Sequence, residues 1–263
     1  MSENYSQKSK EQKDYYNRTA EHYDQWHVDL ASARIVDQWN FDNLRDFLGD
    51  RKIEKALELG SGTGRMANNL FQVSDEVYGI DQSQEVLKIA QNKYPKLKLS
   101  CGEVTNLPYQ DNFFDLIIIN GSLHHFFAVE KTFQQAYRVL KPGGAFVLLG
   151  EPNSQFMKLS NVFYYIWIMD RITAKIFGMF SHKDTPAEPI EPDAESYVPQ
   201  ELKIKLTKSG FDVQRFYTYD YIMRSENKFW LNFYKTYLNF ENKFFAKAIP
   251  GRGMAIQVFS IKK

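Results

Sequence analysis

The chain has 263 residues, of which 43% are hydrophobic and 25% are charged, the composition of an ordinary folded protein with a substantial core. Its 33 basic and 32 acidic residues leave a net charge of +1, so composition gives no support for binding nucleic acid or another polyanion. The single cysteine, Cys101, excludes an intramolecular disulfide and a cysteine-built metal cage, and we predict no metal site.

The amino-terminal region divides into a polar segment and a helical one. Residues 1–14 are polar, lack the apolar core of a secretory signal and are predicted to be disordered. Across residues 15–48, apolar side chains such as Trp26 and Trp39 recur at roughly helical spacing. Apolar runs elsewhere, for example residues 162–169, are far too short to span a bilayer. We therefore expect a cytoplasmic protein without membrane contact.

The central part alternates short apolar runs with amphipathic segments, which is typical of strands separated by helices. The run from Phe114 to Asn120 is apolar almost throughout, as expected of a strand buried on both faces. We predict a doubly wound α/β sheet of parallel strands, in which ligands bind beyond the carboxyl ends of the strands. The predicted strands are residues 55–59, 77–80, 97–100, 114–120 and 145–150, and the predicted helices between them include residues 85–93 and 132–140.

Two aromatic segments interrupt this alternation in the last third of the chain. Residues 154–198 combine an aromatic-rich helical stretch with a proline-rich acidic loop, and residues 226–248 form a second helix with aromatic side chains every three or four positions. A helix at 199–209 and strands at 211–219 and 254–261 complete the pattern. We predict that these two strands add an antiparallel pair to the sheet and that the aromatic helices form a cap.

A glycine-rich turn follows the first predicted strand, in the segment ALELGSGTGR. Gly60 and Gly62 let the backbone turn tightly and leave room for a ligand against the main chain. A dinucleotide fingerprint requires a third glycine where this chain has Arg65, and the Gly-Lys-Ser/Thr of a phosphate loop is also missing. The turn is therefore not expected to cradle a pyrophosphate. A tight strand–helix turn without a ligand is the alternative interpretation.

Two acidic residues accompany the turn. Asp81 lies 21 residues after Gly60, at the end of the second strand, where its carboxylate can accept both hydroxyls of a ribose. Glu58 lies inside the first strand, where a buried charge is costly unless it has a partner. A cationic amino-acid group on the ligand would supply that partner.

Four segments in this order resemble the class I S-adenosylmethionine (SAM)-dependent methyltransferases: ALELGSGTGR, VYGID, CGEVTNLPYQDNFFDLIIINGSLHHF and AYRVLKPGGAFVLLGEPN. They cover residues 55–153, and the resemblance is closest to the branch that methylates small molecules, such as quinone-precursor and natural-product methyltransferases. Where the family usually has an aspartate facing the adenine amino group, this chain has Glu103. The resemblance implies that the methionine portion is held by Glu58, Gly60, Ser61 and Gly62, the ribose by Asp81, the adenine by Gln82, Glu103 and Val104, and the sulfonium end by Asn120.

Candidate catalytic residues follow the fourth strand and end the fifth. In related natural-product enzymes a histidine at the position of His124 or His125 serves as general base, helped by a carboxylate at the position of Glu151. Histidine suits this role because its pKa is near neutrality. One or both histidines could instead pack against or cap the next helix. A base is needed only if the acceptor must lose a proton.

The segment DYYNRTAEHYDQWH resembles the lid helix of the same family. Tyr15, Tyr16, Tyr23 and Trp26 could close over SAM, where an aromatic face attracts the sulfonium charge. We choose Tyr23 as the cofactor contact. The alternative is that these side chains attach the helix to the core.

The two aromatic helices indicate what kind of acceptor the protein binds. Their stripes are expected to pack on each other and on the sheet, and in this superfamily the insert after the fifth strand roofs the acceptor pocket. An aromatic roof suggests a large apolar or aromatic acceptor. Docking of the stripes on a membrane is disfavoured because neither has a strongly basic opposite face.

These observations predict a Rossmann-like α/β fold with a mixed sheet and a helical cap. The expected function is SAM-dependent O-, N- or C-methylation of a small molecule by a monomer or homodimer, with S-adenosylhomocysteine as the cofactor product. A non-catalytic SAM-binding regulator and a nicotinamide-dependent oxidoreductase remain as alternatives. The predicted organisation is a disordered tail at 1–14, lid helices at 15–50, a SAM-binding core at 51–153, a cap insert at 154–198, and the rest of the sheet at 199–263 with its own insert at 226–248.

Overall fold

The structure is a computed structural model that describes residues 2–27, 30–156, 195–221, 228–248 and 251–263, with a few single positions between 157 and 194. The helices are α1 (Ser2–Thr19), α2 (Tyr23–His27), α3 (Ala31–Leu48), α4 (Arg65–Asn69), α5 (Gln84–Lys93), α6 (Val129–Val139), α7 (Pro199–Lys208) and α8 (Lys228–Ala248). The strands are β1 (Ile53–Leu59), β2 (Ser74–Asp81), β3 (Lys98–Cys101), β4 (Phe114–Asn120), β5 (Leu140–Pro152), β6 (Phe211–Tyr219) and β7 (Ala255–Lys262).

These seven strands form one sheet in the order β3-β2-β1-β4-β5-β7-β6. Neighbours among β1 to β5 pair in parallel, whereas β7 runs antiparallel to both β5 and β6. The predicted mixed sheet with a carboxyl-terminal antiparallel pair is confirmed. The chain order runs outward from β1 through β2 to β3, and then continues on the other side of β1 with β4 and β5. The switch point is therefore between β1 and β4, and an open α/β sheet provides its ligand crevice at such a point.

The centre of the sheet is apolar because helices cover both of its faces. Ile117 and Ile119 of β4 join one buried cluster with Phe133 of α6. Leu116 and Ile118, which alternate with them, belong to a second cluster on the other side. Alternate residues of a strand face opposite sides, so a strand covered on both faces must be apolar at every position. This explains the unbroken apolar run seen in the sequence.

The register of the strands brings their polar ends to one edge. Leu59, the last residue of β1, pairs with Ile80 on one side and with Ile119 on the other. The glycine turn after β1, Asp81 and Asn120 therefore lie together at the carboxyl edge of the sheet. This arrangement positions the candidate site.

The amino-terminal segment differs from the prediction of disorder at 1–14, because it belongs to α1. Gln12 is 1% exposed and Tyr15 is 3% exposed, and the helix packs against α5. Much of the helix is docked through polar side chains, such as the hydroxyl of Ser9, which donates to Glu103. Such contacts leave no apolar periodicity in the sequence.

The described part of the cap consists mainly of α8. Its inner face packs on α3 and on the sheet, with Tyr234 and Leu238 buried beside Trp39 and Tyr219. Most of the first aromatic insert, and with it the predicted contact between the two aromatic stripes, lies outside the described residues. Across the part of the chain that is described, no helix is long and apolar enough to cross a bilayer.

Candidate active site

The glycine turn after β1 is shaped by main-chain bonds and close packing. The backbone N–H groups of Gly60 and Ser61 both donate to the carbonyl of Ile80, at 2.8 and 3.1 Å. Gly60 has a φ of +69°, and a Cβ there would lie 2.6 Å from Oγ of Ser122. Only glycine fits a backbone position with both constraints. The turn is thereby held directly against the segment that follows β4.

Glu58 is a buried acid next to this turn. It is 2% exposed, and Oε2 of its carboxyl group has no hydrogen-bond partner among the described residues. Burial raises the pKa of Glu58 well above its ordinary value, the negative charge of Asp81 adds to this effect, and a hydrogen bond from the backbone of Ala67 opposes it. Oγ of Ser61 is a second buried polar atom without a partner in the described structure. A cationic ligand group would satisfy this surplus of acceptors.

Asp81 is oriented by backbone donors. Its Oδ2 accepts from the N–H of Gly62 at 3.0 Å, and its Oδ1 accepts from the N–H of Ser83 at 2.9 Å. Burial raises the pKa of Asp81, while these backbone bonds lower it. Each carboxylate oxygen keeps a further lone pair for a ligand hydroxyl. The side chain is therefore preset to receive a vicinal diol.

A cleft opens at this carboxyl edge of the sheet, where ligands of open α/β sheets bind. Glu58, Ser61, His124 and Glu151 do not line it. The predicted site residues that do line it are Tyr23, Gly60, Gly62, Asp81, Gln82, Glu103, Val104, Asn120 and His125.

The two adjacent histidines have different surroundings. Nδ1 of His124 lies 3.0 Å from Oε2 of the fully buried Glu151, so the predicted His–Glu pair exists as a contact. His125 instead faces the cleft, with its Nε2 3.0 Å from the hydroxyl of Tyr16. The two imidazole rings are 3.9 Å apart between centroids.

Helix α1 closes one side of the cleft and supplies residues that the sequence did not indicate. The hydroxyl of Ser9 lies 3.3 Å from Oε1 of Gln82 and 3.0 Å from Oε1 of Glu103. Gln12 accepts from the amide of Gln82 at 3.4 Å. Ser9 and Gln12 lie in a polar stretch with no motif, and only the fold brings them to the cleft. The other lining residues that the sequence analysis did not single out as cofactor contacts are Tyr16, Val86, Gly102, Thr105, Gly121, Ser122, Phe126 and Phe127.

The residues at this edge of the sheet, those in the cleft and those buried beside it, fit an adenosyl amino acid better than a dinucleotide. A buried acid with an unpartnered oxygen suits an ammonium group, and an oriented carboxylate at the end of β2 suits a ribose. The Rossmann-like sheet, its ligand edge and this cleft define a cofactor-binding α/β enzyme of the class that takes an adenosyl group.

Comparisons with known proteins identify the family. Residues 57–148 match the family described as "Methyltransferase domain". A demethylmenaquinone methyltransferase of Chlorobaculum parvum is 30% identical over 174 residues, which cover 64% of this chain and 70% of that protein. The chain belongs to the class I SAM-dependent methyltransferases that act on small molecules, and SAM is its cofactor.

Solved structures agree in fold. A possible histamine N-methyltransferase of Thermotoga maritima superposes with a TM-score of 0.61 at 19% identity and covers 95% of this chain and 98% of its own. Magnesium protoporphyrin IX methyltransferase of Synechocystis, crystallised with bound SAH, has a TM-score of 0.61 at 13% identity, covering 97% of this chain and all of its own (100%). At such identities these likenesses concern the fold alone.

Proposed function

We propose that the acceptor is a hydroxylated aromatic ring of the quinone-precursor type. The observation that carries this proposal is the 30% identity to a protein named demethylmenaquinone methyltransferase. The cleft supports it, because aromatic side chains lie beside the polar groups at the carboxyl edge of the sheet, among them Tyr16, Phe126 and Phe127. Aromatic walls with a few convergent polar groups suit a planar apolar ligand.

The proposed cofactor contacts follow from position. Gly60 and Gly62, which line the cleft, hold the amino-acid end of SAM together with Glu58 and Ser61, whose unpartnered oxygens are buried beside them. Asp81 binds the ribose, and Asn120 faces the sulfonium end at the tip of β4. Gln82, Glu103 and Val104 surround the adenine, and Tyr23 covers the cofactor from α2.

SAM supplies an electrophilic methyl group, so the protein mainly aligns the acceptor and excludes water. His125 is the proposed proton acceptor, because it lines the cleft and His124 does not. Glu151 accepts the N–H of Ser122, of Leu123 and of His124 and also contacts the His124 ring. His124 and Glu151 thereby hold the turn that presents His125. Loss of the acceptor proton turns a phenolic ring into a nucleophile at oxygen or at the adjacent carbon.

The test is methyl transfer from labelled SAM by the purified protein to a panel of acceptors: a demethylmenaquinol with a short side chain, simple phenols, histamine and phosphoethanolamine. We expect label in the quinol or phenols. Label in the amines alone would refute the proposed acceptor class. Retained SAM affinity with no acceptor methylated would favour a regulatory role, and a thermal shift with NAD but not SAM would favour an oxidoreductase.

We also propose that the protein works in the cytoplasm as a monomer or homodimer. Its one cysteine, Cys101, is exposed and forms no disulfide, which suits a reducing compartment. Cell fractionation and sedimentation velocity test the two parts of this proposal separately.

A further inference from the structure

The hydroxyl of Tyr16, on α1, meets the imidazole of His125 across the cleft. Oη of Tyr16 lies 3.0 Å from Nε2 of His125, and the two rings form an edge-to-face pair with centroids 5.6 Å apart. Both side chains line the same cleft as Asn120. The two residues are 109 positions apart in the chain, so this contact is created entirely by the fold.

This contact constrains how His125 can take a proton. A neutral imidazole has one nitrogen that accepts, and here Nε2 faces a phenol hydroxyl that can donate to it. The lone pair of Nε2 is then directed at Tyr16 and is not open to the acceptor. The oxygen of Tyr16, in contrast, can still accept a hydrogen bond from a ligand hydroxyl in the cleft.

We propose that Tyr16 is a catalytic residue that relays the acceptor proton to His125. This inference rests on the proposed function, because it requires a hydroxylated acceptor. The acceptor hydroxyl gives its proton to the Tyr16 oxygen, and Tyr16 gives its own proton to Nε2 of His125, which becomes an imidazolium. The acceptor uses the freed electron pair to bond the methyl group, and the pair of the broken sulfur–methyl bond stays on sulfur. The proton count and the charge both balance.

The position of the relay depends on the docking of α1. Asn17, next to Tyr16, accepts the hydroxyl of Ser83 at 2.8 Å, and Ser9 contacts Gln82 and Glu103. These partners lie in the loops after β2 and β3 that line the cofactor cleft. The base is therefore complete only when α1 is docked against these loops at the side of the cleft, where it also shields the site from water.

Titratable groups around the relay come from several elements. His124 lies beside His125 in the turn after β4, and Glu151 of β5 contacts His124. Tyr23 of α2 lies in edge contact with Tyr16, their centroids 6.0 Å apart. The protonation of His125 must therefore be compared between the wild type and a variant in which Tyr16 alone is changed.

The first test needs no acceptor and no turnover. Nitrogen NMR of the ¹⁵N-histidine protein reports which ring nitrogen of His125 carries the proton, with assignment by His125→Asn. We expect the neutral form of His125 to be protonated at Nδ1 in the wild type and to shift towards the Nε2-protonated form in Tyr16→Phe. A neutral His125 protonated at Nε2 in the wild type, or an unchanged signal in Tyr16→Phe, would overturn the relay.

The second test is a kinetic double-mutant cycle on the acceptor that the panel identifies. Tyr16→Phe keeps the ring and removes only the hydroxyl, so we expect kcat to fall by about a hundredfold with little change in KM for SAM. Tyr16→Phe combined with His125→Asn should be no slower than His125→Asn alone. Additive losses would overturn the relay.

Ser9→Ala is the matched control on α1 and should raise KM for SAM without coupling to His125→Asn. Coupling equal to that of Tyr16→Phe would show that the cycle measures only the docking of α1, and it would overturn the relay. Methylation of amines only would refute the proposed acceptor, whereas the NMR result judges the contact independently.

Discussion

Oε2 of Glu151 lies 3.0 Å from Nδ1 of His124, at a point in β5 where the acid is completely buried. The same carboxylate accepts three consecutive backbone N–H groups, from Ser122 to His124. A buried carboxyl group with three backbone donors and a ring contact is well satisfied and rigidifies the turn it binds. Its function in this structure is to set the backbone from which the next residue, His125, projects into the cleft.

Glu151→Gln should therefore destabilise the protein and lower its activity together. The amide presents an NH2 group to backbone donors and leaves some of them unpaired, at a cost of about 1–3 kcal/mol. Urea unfolding measures the free energy, and turnover is measured beside it. His124→Asn, which removes the ring but keeps the backbone bonds to Glu151, is the matched variant and should cost less. Equal stability of Glu151→Gln and the wild type would contradict this role.

Gly60→Ala should abolish SAM binding at concentrations that saturate the wild type. The new Cβ would meet Ser122 at 2.6 Å in a backbone region that L residues avoid. Gly49→Ala is the control, because Gly49 also has a positive φ of +56° but has no atom within 4 Å of a new Cβ. We expect about 1–3 kcal/mol of destabilisation from the backbone alone in that variant, with unchanged SAM affinity. Calorimetry measures the binding, and normal affinity in Gly60→Ala would rule out a tight turn against the ligand.

SAM should bind more tightly as the pH rises through the pKa of Glu58 in the free protein. Burial raises that pKa, so the free protein holds a proton on Glu58 at a higher pH than an exposed glutamate would. A ligand ammonium lowers the pKa in the complex, and binding then releases a proton, which is favoured at higher pH. Calorimetry in two buffers of different ionisation enthalpy counts the protons released. Glu58→Gln should bind more weakly and lose this proton release; an unchanged release would exclude Glu58 as its source.

Glu241, on α8, makes the stability of the cap depend on pH. The backbone N–H groups of Asp220 and Tyr221 donate to it, and burial together with the charge of Asp220 raises the pKa of Glu241 to about 7. Because the folded-state pKa is above the unfolded value, the folded protein binds the proton more strongly, and stability is lost as the pH rises from about 4.5 towards 7. The full loss is roughly 3 kcal/mol.

Urea unfolding at several pH values measures this dependence. Glu241→Gln does not titrate, so its stability should fall less than that of the wild type between about pH 5 and pH 8. The slope of the unfolding free energy against pH is the informative quantity. Its absolute value also changes in Glu241→Gln, because the amide has one acceptor oxygen fewer for the backbone N–H groups. Parallel slopes in the two proteins would show that Glu241 does not keep its proton in the folded state.

Much of the fold could be predicted because its signals are local. The bounds of β4 and β6 agree with the sequence prediction at both ends, and the other elements differ by a few residues, mostly at frayed or bulged ends. The largest of these differences is at β5, where the Pro142-Gly143-Gly144 segment belongs to an irregular start of the strand. The part of α1 before Tyr15 was not predicted, since much of its docking is polar, and polar contacts leave no periodic pattern to read.

The sequence by itself determined the alternation of strands and helices in the core, the glycine turn at Gly60 and the acid at the end of β2, because short-range backbone requirements and the spacing of strands and helices are encoded locally. Only the tertiary structure decided which histidine faces the cleft, that His124 belongs to Glu151, and that Tyr16 reaches His125. Adjacent residues such as His124 and His125 are equivalent in a linear pattern. Their different environments arise only when elements far apart in the chain pack together and decide which donor meets which acceptor.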